Sequence, residues 1–130
     1  MKLTKDNYVE LAEKAIQGLT EKKDRRGNPV AIVTTSKIRN LLAMTAEIYN
    51  EAVNCQSEKL PDELIGRINY LKIRFVYEAG REASVKSLVT EAHILECLDD
   101  IRGSRAQYIL VSRYLEALVA YRKFLGGKDD

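Results

Sequence analysis

Few side chains in this sequence stand at spacings that chemistry could use. The single histidine, His93, precedes Cys97 by four residues, so a helix would put imidazole and thiol on one face. Two ligands only begin a zinc site, which needs three or four, and no neighbour completes the set. A packed or surface histidine is the plainer expectation. Asp99-Asp100 is an acidic pair near a helix end, a thin basis for Mg²⁺ with Arg102 close enough to balance it. No GxSxG, P-loop, GxGxxG or HExxH pattern occurs. The expectation is no catalytic residue, no metal, no cofactor and no small-molecule substrate: a binding protein rather than an enzyme.

Binding chemistry is better represented. Arg67, Tyr70, Arg74, Tyr77 and Arg81 are separated by steps of 3, 4, 3 and 4. At ~100° per residue they fall within an arc of about 80° and make a stripe ~21 Å long. Guanidinium groups grip phosphate with two parallel hydrogen bonds. Tyrosines between them can stack on bases or donate hydrogen bonds. Together these residues describe a surface for RNA or DNA. The bland alternative is a solvated face. Glu63 stands four residues before Arg67, and Glu78 stands within three or four of Arg74 and Arg81, so ordinary helix ion pairs would also explain the pattern. Tyr70 and Tyr77 would then be edge residues of the core. A second candidate is the start of the helix that holds Ser36, Lys37 and Arg39, where a phosphate would meet basic side chains and free backbone N–H groups.

The elements that must position these residues read as helices nearly throughout. The first runs from Asn7, a candidate N-cap, to Leu19. A basic loop with Gly27 and Pro29 covers 20–34; its run Val30-Ala31-Ile32-Val33 has no second strand to pair with and is expected to lie extended on the core. The second helix begins at Thr35 or Ser36 and reaches about Cys55, with Ile38, Leu41, Leu42, Thr45, Ile48, Tyr49, Ala52 and Val53 on one face. The third spans Pro61 to about Gly80 and carries the Arg/Tyr stripe beside an apolar one, Leu64, Ile68, Leu71, Phe75 and Ala79. Ser84 caps a fourth that ends near Ile101, with Gly103 as its stop; Ser104 caps a fifth that ends at Gly126-Gly127. The fold class is all-α: one domain over 1–130, a bundle of about five helices with short connections and a frayed tail at 128–130.

Bulk properties agree. With 130 residues, 45% hydrophobic and 31% charged, the chain can bury a core without disulfides. No run nears the ~20 apolar residues of a membrane span, and Met1–Asp6 lacks the apolar segment of a signal peptide. Cys55 and Cys97 are isolated thiols, which suits a reducing cytoplasm. The net charge of +2 is small, but it is sorted: residues 67–86 hold five basic and two acidic side chains, 87–100 hold four acids and no Lys or Arg, and 101–123 return to five basic against one acidic.

Thr34-Thr35-Ser36-Lys37-Ile38-Arg39-Asn40-Leu41-Leu42, opening a long helix, resembles the T-x-S-x-I-R segment of the small subunit of the type III-A CRISPR effector, the Csm complex. Leu71–Arg81 resembles the helix of the same family that ends in a tyrosine-then-arginine pattern. Length, helix count and helix order agree, so the likeness covers most of the chain. It implies a non-catalytic subunit that stacks in several copies along the crRNA–target RNA duplex, holds its backbone without reading sequence, and contacts the other Csm subunits. By the resemblance, family basic positions fall on Lys37, Arg39 and Arg81, and also on Arg67, Arg74 and Lys86. The alternative is a helical scaffold or adaptor that binds protein and no nucleic acid. Its docking surfaces would be the acidic 87–100 stretch and the apolar residues of the last helix, Tyr108, Leu110, Leu115, Leu118, Tyr121 and Phe124.

Overall fold

The computed structural model describes residues 2–126. Six helices follow one another: α1 (Tyr8–Glu21), α2 (Thr35–Asn54), α3 (Asp62–Arg81), α4 (Ala83–Glu91), α5 (Ile94–Asp99) and α6 (Arg105–Phe124). They close into a ring of neighbours. α1 packs on α6 and α4, α6 on α2, α2 on α3, and α3 on α4, while α5 touches α3, α4 and α6. The core inside this ring is apolar, with Ile16, Ile38, Ile48, Leu71, Phe75, Leu88, Ile94, Tyr108 and Tyr114 all but sealed from solvent.

Cap chemistry sets several boundaries. The Thr34 hydroxyl accepts from the Lys37 N–H at 3.2 Å and opens α2. The Ser104 hydroxyl accepts from the Gln107 N–H at 3.1 Å and opens α6. Asn7 stands at the N-cap of α1, but its side chain works backwards: it accepts from the Thr4 N–H and donates to the Lys2 carbonyl. The fourth expected helix starts one residue before Ser84, with Glu82 in the N-cap position. In the basic loop, Asp24 Oδ1 accepts from the N–H groups of Arg26 and Asn28 around Gly27, whose φ of 81° suits a residue without Cβ. Beyond it the chain belongs to no helix, the Val30 N–H donates to the Lys22 carbonyl at 3.1 Å, and Val33 is buried.

The fourth helix is not continuous, which makes six helices where five were expected. The break falls at His93, whose φ of 54° is left-handed. Ala92 and Ile94 are both buried. Two residues apart on one straight helix they would point ~200° from each other, and the turn at His93 lets both face inward. The Tyr114 hydroxyl donates to the Ala92 carbonyl at the break, 2.8 Å away. His93 is thereby turned to solvent beside Glu96, at 3.1 Å, while Cys97 is buried and its thiol is pushed up to about 11 by desolvation. The pair therefore does not present a joint ligand face. The apolar residues of the last helix also differ from a docking surface: Tyr108, Leu110, Leu115 and Leu118 are core, and Phe124 is exposed. The expected tail at 128–130 lies outside the described residues.

Candidate nucleic-acid interface

α3 divides its faces as its sequence periodicity requires. Leu64, Ile68, Leu71 and Phe75 are buried against the neighbouring helices. The opposite side carries Tyr70, Ile73, Val76 and Tyr77, all at least half exposed. Around Tyr77 a compact group forms. The guanidinium carbons of Arg74 and Arg81 each lie 5.9 Å from the Tyr77 ring centroid, within cation–π range. Their side chains are 45% and 56% exposed. An arginine, a phenol and a second arginine thus occupy consecutive turns of one solvent-facing surface.

Beneath this group lies Glu78, whose side chain is only 4% exposed. Its Oε2 accepts from Lys37 Nζ of α2 at 2.7 Å. Its Oε1 faces Arg81 Nη1 at 3.5 Å and Arg74 Nη2 at 3.7 Å. Lys37 is also 3.4 Å from Glu82. The Lys37 hydrogen bond holds the Glu78 carboxyl below the usual carboxylate range, with its charge and those of Arg81 and Arg74 adding to the effect and burial opposing it. The same bond to Glu78 raises Lys37. Sequence reasoning read Glu78 as one end of surface ion pairs. It is a buried anchor instead. The signal was available: Leu64, Ile68, Leu71, Phe75 and residue 78 follow steps of 4, 3, 4 and 3, so Glu78 occupies the next position of the apolar stripe.

The other candidate residues are distributed unevenly. Tyr70 is exposed one turn before Arg74. Arg67 does not pair with Glu63; it reaches across to Glu51 and to Glu47, the latter at 3.6 Å, and so straps α3 to α2. Lys86 is exposed on the first turn of α4, just past Arg81. Lys37 and Arg39, two residues apart, point to different sides of α2. Lys37 meets α3, whereas Arg39 lines an open groove of about 610 Å³ between α2 and α6, with Ala43, Tyr49, Arg113 and Val119. The start of α2 therefore offers no joint basic site: Glu78 and Glu82 already supply the negative charge beside Lys37. Sequence reasoning also missed the exposure of Ile73 and Val76, since neither belongs to the stripe that was singled out.

Among the described residues, no helix is long and apolar enough to cross a membrane, and no three His, Cys, Asp or Glu side chains gather as a metal site would require.

Residues 13–128 match the family model described as Csm2 Type III-A. The chain is similar to the CRISPR system Cms protein Csm2 of Streptococcus thermophilus, 47% identical over 127 residues that cover 98% of each chain. The protein of the same name from Mycobacterium tuberculosis strain CDC 1551 is 41% identical over 129 residues, 99% of each. That of Enterococcus italicus is 31% identical over 122 residues, 89% of this chain and 87% of its own.

Proposed function

The chain belongs to the Csm2 type III-A family, and from that premise we propose that it is a non-catalytic RNA-binding subunit of a type III-A CRISPR ribonucleoprotein in the cytoplasm. Several copies stack along the crRNA–target RNA duplex, touch the other subunits of the Csm complex, and hold the duplex by its backbone. The observation that carries this is the exposed Arg74–Tyr77–Arg81 group on α3, two guanidiniums within cation–π range of one phenol. Tyr70 and Lys86 extend the surface along α3 and onto α4. Arg67 straps α3 to α2, Lys37 holds Glu78 from α2, and Arg39 offers a separate basic side chain in the groove between α2 and α6.

The chemistry suits sequence-independent contact. Arginine forks match phosphate oxygens on any nucleotide, and base pairing between guide and target supplies the specificity. Each phosphate contact steepens the salt dependence of log K by about 0.7 to 0.9, so one copy binds weakly. Copies held together on one guide gain by effective concentration, on the order of 10²–10⁴-fold.

The test is a complex reconstituted with the Arg74→Ala/Arg81→Ala chain. RNA protection falls and the salt slope drops by about one to two, with the helical content of the subunit intact. Unchanged protection at all salt concentrations overturns the assignment. A second reading has its own observation. Ile73 and Val76 stand exposed on the same face of α3, and apolar side chains of this kind are what a protein partner covers. On that reading the chain is a scaffold that binds no nucleic acid; Ile73→Asp then disrupts co-assembly with protein while leaving RNA retention of any assembled complex unchanged.

A further inference from the structure

We propose that Glu78 is a positioning residue: it fixes Arg74 and Arg81 against the Tyr77 ring and so sets the shape of the RNA grip, an inference that rests on the function proposed above. Glu78 does not face the surface and does not touch RNA itself; its side chain is only 4% exposed, and its carboxylate has one oxygen for each task. Oε2 is taken by Lys37 of α2 at 2.7 Å, and Oε1 lies between the two guanidiniums, 3.5 Å from Arg81 and 3.7 Å from Arg74. Both guanidiniums are then held at the same 5.9 Å from the ring. Two long side chains that would otherwise sample many rotamers are ordered before RNA arrives, which lowers the entropic cost of binding. Lys37 in turn fixes the carboxylate to a second helix, so the grip is registered against α2 as well as along α3.

Positioning and simple charge make opposite forecasts. Lys37, Arg74 and Arg81 against Glu78 and Glu82 leave one net positive charge. Glu78→Gln keeps the shape and an acceptor for Lys37 but raises that charge to two. Were charge alone at work, RNA would bind more tightly. If Glu78 positions the arginines, RNA binds more weakly despite the added charge.

The experiment uses the assembled complex and RNA retention across a salt series. Glu78→Gln is expected to weaken retention roughly three- to tenfold and to have no further effect in the Arg74→Ala/Arg81→Ala background. Lys37→Met/Glu78→Gln covers the case in which the single variant fails to fold: it leaves no buried unpaired charge, keeps the local net charge unchanged, and is expected to show the same loss. Retention equal to or tighter than wild type in the folded Glu78 variant, with the double arginine variant weakened, overturns the positioning role while leaving the RNA surface standing. No change in the double arginine variant overturns both.

Discussion

α3 and α6 are both 20 residues long and both carry arginines and tyrosines, yet they use them in opposite ways. In α6 two of the tyrosines are cement. Tyr108 and Tyr114 are buried, and their hydroxyls donate to the carbonyls of Thr45 and Ala92 at 2.8 Å each, which satisfies polar atoms that would otherwise be costly inside the core. Burial pushes both phenols well above their usual range. Two of its three arginines do likewise. Arg122 is buried and donates from Nε to the Val33 carbonyl, fixing the segment that leads into α2, and Arg105 donates to the carbonyls of Ala52 and Val53 at the end of α2. On α3, Tyr70 and Tyr77 face solvent and Arg74 and Arg81 flank a ring rather than a carbonyl. Residue type alone does not separate the two; what separates them is which face a neighbouring helix covers.

This contrast can be broken by substitution. The largest effect belongs to Tyr114→Ala, which leaves a cavity and an orphaned carbonyl in the core; chemical denaturation should show a loss of about 3–5 kcal/mol. Arg105→Ala removes two bonds that close the end of α2 and should cost about 1–2 kcal/mol by the same measurement. Tyr77→Ala, although it also deletes a tyrosine, should change stability by less than about 0.5 kcal/mol while lowering RNA retention by the complex. If Tyr77→Ala melted the fold as Tyr114→Ala does, the two helices would not differ as described.

A smaller effect sharpens the picture with pH. Glu78 is held below its ordinary range, so its contribution to stability is present above the unfolded carboxylate pKa and fades as pH falls through the lower folded value. Lys37 is raised, so its contribution is present below the unfolded lysine pKa and is lost as pH climbs through the folded one. The α2–α3 clasp is therefore complete between those limits. A pH series of denaturation midpoints should show a shallower acid limb for Glu78→Gln than for the wild type.

Much of the fold was legible in the sequence because local chemistry carries it. The start of the second helix at Thr35, Pro61 at the entry of α3 and the Ser104 cap all mark their helices correctly. The segment 30–33 was readable as lying outside the helices and packing on the core, and Val33 is buried there. The break at His93 was not, since it comes from the need of Ala92 and Ile94 to face one core, a tertiary demand that overrides helix propensity. On α3, the Arg/Tyr stripe was legible from its spacing, and its residues from Tyr70 to Arg81 are exposed. The partners of Arg67, Glu47 and Glu51, lie on another helix and could not be read from spacing along α3. Lys37 and Arg39 read as one cluster in sequence, yet α2 turns them toward different neighbours.

The most direct measurement is a photo-crosslink from position 77. A complex assembled with a photoreactive phenylalanine in place of Tyr77 should, on irradiation, attach that residue to RNA at nucleotides of varied identity. Crosslinks from position 77 that reach only protein, with RNA captured from some other face of the subunit, would contradict the assignment of this α3 surface.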